Sequence, residues 1–585
     1  MDSSGSYTSN PAYSPFTDAE VERRGAWFRL QPNVTTTDED GSMLYEQRDF
    51  TLLCTMVSHN DTRALREYLA NGSWAVPRAP DIPSELIGDT LRMDYFHVAA
   101  LNGCLGVLQM LLAHGTKGDV PDPAPIRFKE RGYELLHEAV KWGHIEVAKF
   151  LLENQPLYAD IHERNPKGLT PILSAANFYP TKLFILGPDE AHSPPKNEGI
   201  VNLLLDYGAS AGDVIEYTDM DARSESVLTL AASWAGAELI KRLIEGGADI
   251  CTKVTKTKRA IKFWNQPGDT FEVDALFIAC AFANFDAVKT IFGSLQGSMQ
   301  TQEMCHSQDS RGTLPIHWAT QNAILGGGSE FPAWVLQERV PNITAIIDFL
   351  LNLDPTTINV QDNDGNTPLH YATRAMGRHE PLYAPVFTFL CERGADASIR
   401  NDKGQTPLHS LFKLDGIESH YETSNERAPV IATAAILTLL AHGASVTDAD
   451  DDGNTPLHLV ADTLCYGNAV SLLLDHGADP ARQNLNQETA LHRAARGTYR
   501  PKALRIKAEE KIKAQDEVIG MLVKVGGDKL MELADAEGKS PRQLCEEKRE
   551  AWKEQDIPAW KRQQNQFGRI PRGGASRGGR GGRGG

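Results

Sequence analysis

The sequence of 585 residues has no uninterrupted apolar run of about 18 residues, the length that a membrane-spanning helix requires. Its first residues contain neither a basic segment nor an apolar core, so no secretory signal is expected. The eight cysteines are scattered without CxxC or CxH spacing, which argues against a zinc site and against a disulfide framework. These absences predict a soluble protein of the cytoplasm, the nucleus or both, with reduced thiols.

Signals of catalysis are also absent. The glycine run at 325–330 lacks the GxxxxGK[ST] pattern of a phosphate loop and follows no predicted strand, so it is interpreted as a hinge. The acidic stretch from Asp448 has a superficial likeness to a calcium loop, but its twelfth position is Leu459 instead of glutamate. No nucleophile, base and orienting group occur together. We therefore expect no enzymatic activity and no bound cofactor or metal.

The clearest feature that is present is the block Thr-Pro-Leu-His, which occurs at 367–370, 406–409 and 455–458. Each copy follows a polar turn with a glycine and precedes an apolar run that closes with Gly-Ala. Threonine can cap a helix, and proline fits the first helical position. The closing glycines, Gly394, Gly443 and Gly477, can adopt the left-handed conformation that ends a helix. Each copy is therefore predicted to be a helix pair with a turn, stabilised by stacking on its neighbours.

This pattern resembles the ankyrin repeat, and altered copies extend the resemblance over more than three quarters of the chain. The resemblance implies an all-α solenoid of stacked helix-turn-helix units with β-turn fingers. We expect about twelve units within residues 49–555. They are flanked by a segment at 1–48 that is predicted to be mostly disordered and by a basic tail at 556–585 that is predicted to be disordered.

Seven histidines occupy the last position of the block or an equivalent position. They are His97, His137, His317, His370, His409, His458 and His492. In the ankyrin family this histidine hydrogen-bonds the threonine of the block and neighbouring backbone, so the resemblance implies a structural role. Whole repeats separate the histidines, and no His/Cys cluster with ligand spacing surrounds them, so they need not share a metal ion.

Several repeats contain extra residues between the first and second helices. These insertions predict a ridge along one edge of the stack, which either binds a partner or consists of tolerated surface loops. Aromatic residues favour binding, because they are enriched at interaction hot spots, although they can also pack onto the helices as local lids. They are Phe178, Tyr179, Phe184, Phe331, Trp334, Tyr383 and Tyr421, of which Trp334 is our candidate partner-binding residue.

The fingertips carry a series of acidic residues, in keeping with a formal net charge of −18. The candidate partner-binding residues are Asp362, Asp364, Asp402, Asp451 and Asp452. Such a series can steer a basic partner by raising the encounter rate. The alternative is turn chemistry, since Asp before Gly is favoured for the hydrogen bonds it makes with its own backbone.

The C-terminal tail has the opposite charge. Its last seventeen residues, from Arg569, hold five arginines and no acid, which leaves the rest of the chain at −23. Arg572, Arg577, Arg580 and Arg583 are each followed by Gly-Gly, a pattern similar to the RGG segments of RNA-associated proteins. Such arginines can stack on bases and contact phosphates. A solvating or localisation tail is the alternative.

Together these features predict a monomeric intracellular scaffold or adaptor. It is expected to bind one or more proteins along the concave surface formed by the fingers and first helices, with the insertions adding selectivity. The second hypothesis is an RNA- or RNP-associated adaptor whose tail contacts RNA. The identity of the partner does not follow from an ankyrin resemblance.

Overall fold

The chain divides into two compact units. The N-terminal unit comprises Met1–Met304 with Ala323–Pro332, and the C-terminal unit comprises Cys305–Asn322 with Ala333–Gly585. No helix within the described ranges is both long and apolar enough to cross a membrane. The structure is a computed structural model, and it describes residues 33–37, 43–48, 55–70, 95–115, 135–177, 195–216, 224–257, 270–295, 297–321, 333–379, 383–412, 433–498 and 507–556.

Successive pairs of short helices form the N-terminal unit. The first pair is a helical turn at 55–58 followed by α1 (Thr62–Ala70). The next pairs are α2 (Tyr95–Leu101) with α3 (Leu105–Gly115), α4 (Leu135–Lys141) with α5 (Ile145–Glu153), α6 (Pro171–Ala176) with α7 (Pro195–Asp206), α8 (Val227–Ala231) with α9 (Ala237–Glu245), and α10 (Ala275–Ala281) with α11 (Phe285–Gly293).

Among the residues that the structure describes in this unit, three antiparallel hairpins accompany the helices. They are β1 (Asn33–Thr37) with β2 (Met43–Arg48), β3 (Val214–Glu216) with β4 (Ser224–Ser226), and β5 (Val254–Thr257) with β6 (Thr270–Val273). The first hairpin lies within residues 1–48, a segment that is predicted to be mostly disordered, and its strands are a short ordered part of that segment. The other two extend the fingers of the repeats, a place where no insertion is predicted from the sequence.

In the C-terminal unit, first helices alternate with second helices. The helix α12 (Ser298–Cys305) ends at Cys305, the first residue of this unit. The pairs are α13 (Pro315–Gln321) with α14 (Ala333–Leu353), α15 (Pro368–His379) with α16 (Ala384–Glu392), α17 (Pro407–Phe412) with α18 (Thr433–Ala441), α19 (Pro456–Ala461) with α20 (Gly467–Asp475), and α21 (Ala490–Arg496) with α22 (Ala508–Gly526). The single helix α23 (Pro541–Gln555) follows, and short 3-10 helices occur at Pro355–Asn359 and Asp528–Glu532.

The first helices of this unit pack side by side, and the second helices form another layer against them. The core lies between the layers, where the block leucines Leu369, Leu408 and Leu457 are fully buried. Each repeat therefore gains its hydrophobic burial from its neighbours, as predicted. The all-α fold of stacked helix pairs with turn fingers is confirmed.

The helices begin and end at the residues that the sequence predicts. The proline of the block occupies the first turn of α19, directly after the N-cap residue Thr455. Gly394, Gly443 and Gly477 have φ of +95°, +101° and +86°, in the left-handed region that ends a helix. The local chemistry of the block thus determines where each pair begins and ends.

Candidate protein-interaction surface

The turns of the C-terminal unit share one hydrogen-bond pattern. The first side chain of each turn accepts from the backbone N–H groups two and four residues later, as Asp362 does from Asp364 at 3.0 Å and Asn366 at 2.8 Å. These bonds close the turn without help from a partner. The residues that play this part are Asp309, Asp362, Asn401, Asp450, Asn484 and Asp535.

Asp362 was predicted to contact a partner, and the structure contradicts this. Asp362 is only 8% exposed to solvent. The second carboxylate oxygen accepts from the hydroxyl of Tyr371. Both oxygens of Asp362 are thus engaged by the fold, and for this residue turn chemistry is the correct interpretation.

Backbone hydrogen bonds join each turn to the next. The N–H of Asp402 donates to the carbonyl oxygen of Asp364 at 2.9 Å, and the N–H of Leu485 donates to that of Asp452 at 2.9 Å. The same kind of bond joins Asn363 to Arg311, Asp451 to Lys403 and Ala536 to Asn486. We call residues 309–313, 362–366, 401–405, 450–454, 484–488 and 535–539 the turn row. The bonds hold the turn row in a fixed register.

The close approach of neighbouring turns requires glycine. Gly365 has φ of +75°, and a Cβ atom on it would lie 2.6 Å from the backbone nitrogen of Asp402. Gly404 has φ of +67°, and its Cβ atom would lie 2.9 Å from the backbone nitrogen of Asp451. A side chain at either position would clash with the hydrogen-bonded backbone of the next turn.

Four predicted residues of the turn row are exposed to solvent, namely Asp364, Asp402, Asp451 and Asp452. Within the described ranges, none of their carboxylates takes part in a hydrogen bond or an ion pair. Leu485, in the next turn, is 74% exposed. The turn row therefore presents unneutralised negative charge beside an apolar side chain.

A polar cleft of about 130 Å³ lies behind the first two of these carboxylates. It is bounded by the turns at 362–366 and 401–405 and by the helices α15 and α17. Its lining includes Asp364, Asp402, Lys403, Arg374 and Ser410. Groups of both charges and a hydroxyl thus converge where the turns and the first helices meet.

The block histidines are used by the fold. The Nδ1 atom of His370 accepts from the backbone N–H of Thr367 at 3.1 Å, so the ring proton is on Nε2, which donates to the carbonyl oxygen of Gln405 at 3.0 Å. His409 and His458 repeat both contacts. Burial lowers the pKa of His370 to about 4. These imidazoles are neutral links between repeats, which confirms their structural role.

Among the other predicted site residues, one is buried, one is described only in its backbone, and the rest lie outside the described residues. Tyr383 is fully buried, and its hydroxyl donates to the carbonyl oxygen of Thr320 at 2.7 Å, so it packs as a lid and is not an exposed aromatic residue. Trp334 lies in α14, and only its backbone is described. The following lie outside the described residues: Phe178, Tyr179, Phe184, Phe331, Tyr421, Arg572, Arg577, Arg580 and Arg583.

Sequence reasoning missed two features of the turn row. One is the exposed Leu485, which no repeated pattern marks. The other is an ion network in which Arg496 bridges Glu488 and Asp535, with 2.7 Å between Arg496 Nη2 and Asp535 Oδ2. The partners come from three different places in the sequence, so no local spacing reveals them. In the part of the chain that the structure covers, no three His, Cys, Asp or Glu side chains form a group suited to a metal ion.

Comparisons with known families agree with this architecture. A family model described as ankyrin repeats (3 copies) matches residues 53–165, 96–186 and 431–516, and a model of the single ankyrin repeat matches 364–402. The chain contains ankyrin repeats. The matches fall in both units, and those at 364–402 and 431–516 include half of the turn row.

Similar proteins share the ankyrin repeats over part of their length. The poly [ADP-ribose] polymerase tankyrase of Caenorhabditis elegans is 36% identical over 153 residues, which are 24% of this chain and 6% of that protein. The transient receptor potential cation channel subfamily A member 1 of Homo sapiens is 25% identical over 405 residues, or 69% of this chain and 29% of the channel. The neurogenic locus notch homolog protein 1 of Homo sapiens is 31% identical over 184 residues, or 28% and 7%. This chain therefore spans less than a third of each relative.

Proposed function

We propose that the protein is a non-catalytic intracellular adaptor whose turn row binds a basic segment of a partner protein. Ankyrin repeats support a role in protein–protein interaction in general. The observation that carries the finer proposal is the set of four exposed carboxylates without a counter-ion, held in register by backbone bonds. An adaptor needs such a surface, because complementary charge gives both orientation and a fast encounter.

The acidic residues of one turn have different structural roles, and this difference supports the proposed function. The first residue, such as Asp450, is buried and closes the turn through its bonds to backbone N–H groups. The next residues, Asp451 and Asp452, make no such side-chain bond and face solvent. Turn chemistry accounts for the first acid and leaves the other two unexplained. A basic partner gives those two a role.

The cleft beside the turn row adds selectivity to this charge. Ser410 and Lys403 lie on its wall, and neither side chain takes part in a hydrogen bond or ion pair with another described residue. A partner that enters from the acidic edge meets a hydroxyl and an ammonium group there. The cleft therefore favours a segment in which a basic side chain is followed by a hydrogen-bond acceptor.

The test is a photo-crosslinking residue placed in the full chain at Asp402, expressed in cells, with the same residue at Asp475 as the control. Asp475 is exposed on a second helix, away from the turn row. We expect the probe at 402 to capture a discrete protein that the probe at 475 does not capture. The paired substitutions Asp364→Lys and Asp451→Lys should reduce this capture about tenfold, and more at low ionic strength.

A matched charge reversal distinguishes an effect of the turn row from an effect of the net charge. The variant with Glu392→Lys and Asp475→Lys changes the net charge by the same amount on exposed residues of second helices. It should capture the partner as the unaltered protein does. Equal loss in both variants, or equal capture from both probe positions, would contradict the proposal. Capture that disappears after nuclease treatment would favour the RNA-associated alternative.

A further inference from the structure

We infer that the basic C-terminal tail of this chain lies across the acidic turn row and competes there with the partner protein. The inference rests on the proposed function of the turn row and adds its regulation. Two independent features support it: the chemistry of the surface and that of the tail. Both belong to the C-terminal unit.

The surface combines charge with one apolar contact. Asp451 and Asp452 are joined through the backbone ladder to the turn of Leu485, which is joined in turn to that of Glu537. Leu485 is exposed, although it lies between acidic turns. A segment that covers this surface must supply cations with an apolar residue between them, since an exposed leucine gains only from apolar cover.

The tail has this composition. Residues 557–585 contain seven basic residues and no acidic residue. Phe567 and Ile570 lie next to Arg569 and Arg572, so the apolar side chains alternate with cations. The remaining arginines follow at intervals of three to five residues, with glycine between them. The tail therefore offers an apolar contact for Leu485 and cations for the neighbouring carboxylates.

The point where the tail begins is also suitable. The carboxylate of Asp556 accepts from the backbone N–H of Ala508 at 2.7 Å, which fixes the end of α23 against α22. The helix α23 starts directly after the turn at 535–539 and has 15 residues, so its end is about 22 Å from that turn. Residues 557–566 can span about 33 Å when extended. This reach covers the return to the turn row.

Attachment to the same chain favours this occupant over a separate basic peptide. A short linker gives the tail an effective concentration on the order of 1 mM at a surface within its reach. A partner that uses the same carboxylates must displace it. Deletion of residues 569–585 should therefore strengthen binding of a synthetic peptide with the sequence of 569–585, by about two- to tenfold at low salt.

The direct test places a photo-crosslinking residue at Ser576 in the full chain. We expect crosslinks within one molecule to peptides that contain 451–452 or 485, and their loss at high salt because the contact is ionic. The substitutions Asp451→Lys with Asp452→Lys should reduce the yield several-fold, and Glu392→Lys with Asp475→Lys should leave it unchanged. As a second variant, Arg577→Gln, Arg580→Gln and Arg583→Gln should also reduce it, without altering the repeats.

Three results would overturn the inference. They are crosslinks spread over the acidic surface without preference, crosslinks between molecules only, and crosslinks to RNA that replace those to the turn row. The outcome is distinguishable from failure of the proposed function. If position 402 captures a partner but position 576 does not reach the turn row, only the regulation is wrong. If position 576 reaches the turn row and no partner is captured at 402, the tail contact stands, whereas the adaptor function and the competition with a partner are wrong.

Discussion

Replacing His370 by glutamine tests whether a neutral imidazole links the repeats. The histidine is 2% exposed, accepts from Thr367 through Nδ1 and donates to Gln405 of the next repeat through Nε2. Glutamine at this position of a helix can still accept from the N–H of the N-cap residue, as in a capping box. It is too short to reproduce the bond to Gln405, and it cannot be protonated. The variant thus removes one bond and one titration.

The two losses have different pH dependence. At pH 7.5 the variant leaves a buried carbonyl oxygen without its donor, which costs about 1–3 kcal/mol. Below this pH the unaltered protein is destabilised, because burial lowers the pKa of His370 from 6.5 to about 4 and the unfolded chain binds the proton first. Stability is therefore lost as pH falls from about 6.5 to about 4, by about 2 kcal/mol at pH 5. The glutamine variant lacks this loss. The difference in stability between the two proteins should therefore be about 2 kcal/mol smaller at pH 5 than at pH 7.5.

Hydrogen exchange with mass spectrometry is the suitable assay, because repeat arrays need not unfold in one step. Peptides from α15 and α17 report the opening of the two repeats that His370 joins. Rates at pH 7.5 and pH 5, corrected for intrinsic exchange, give the local opening free energy. The control is His476→Gln, at an exposed ring at the end of α20, whose Nδ1 atom lies 2.9 Å from the carbonyl oxygen of Leu472.

Burial also lowers the pKa values of His409 and His458, but these histidines are present in both proteins and their effect cancels in the difference. A constant difference between pH 7.5 and pH 5 would refute the reasoning, since it would mean that His370 is not held neutral by its two contacts. A difference that grows at pH 5 would also refute it. A pH dependence of the same size in the His476→Gln control would show that the effect does not come from the link between repeats.

Three further predictions concern the turn row, each tested by urea or thermal unfolding with exchange to locate the effect. Gly394→Ala should lower the free energy of unfolding by about 1–2 kcal/mol, because Gly394 has φ of +95° but no atom lies within 4 Å of the added Cβ. Gly365→Ala should cost about 1–3 kcal/mol more, because its Cβ meets the backbone of the next turn. Equal costs would contradict the close approach of the turns. Arg496→Met should cost about 3 kcal/mol and speed exchange in α22 and α23, because it leaves the buried carboxylate of Asp535 without its cation, while Glu488 keeps its ion pair with Arg493. Arg542→Met, at an exposed pair, should change little. Gln487→Gly should stabilise by up to about 1 kcal/mol, because Gln487 has φ of +57° where the other turns have glycine, and destabilisation would show that its side chain contributes more than the strain.

The repeat pattern could be predicted because its signals are local. A proline after the N-cap residue, a buried leucine and a closing glycine act within one helix pair, and Leu369, Leu408 and Leu457 are buried as the periodicity requires. The role of the histidines also followed, through the resemblance to the ankyrin repeat. In these cases residues a few positions apart determine the structure.

The finger hairpins leave no mark on the spacing between the block histidine and the closing glycine of the same repeat, which is the spacing that reveals the other insertions. The strands β3 to β6 lie after Gly208 and Gly247, between one closing glycine and the next first helix. Physics permits growth at either place, because the entropy of loop closure rises slowly with length. Only pairing across each hairpin reveals which loops became strands.

The roles of individual acids and aromatic residues depend on contacts between distant residues. Asp362 and Asp364 belong to one acidic turn, yet only Asp362 is covered by Tyr371, nine residues away. The position of Tyr383 in an insertion predicts an exposed side chain, but its hydroxyl donates to the carbonyl oxygen of Thr320, 63 residues earlier. Burial of this kind is set by packing between repeats, which the sequence of one repeat does not contain.

The unpaired carboxylates of the turn row cost the fold little, and this decides how the charge reversals can be interpreted. Two like charges about 7 Å apart in water repel by about 0.6 kcal/mol, and physiological salt reduces this further. The ladder bonds use backbone atoms, such as the N–H of Asp402 and the carbonyl oxygen of Asp364, so a lysine at either position leaves them intact. Asp364→Lys and Asp451→Lys should therefore preserve or slightly raise stability. Loss of binding in these variants can then be assigned to the lost charge, because the repeats that carry it remain folded.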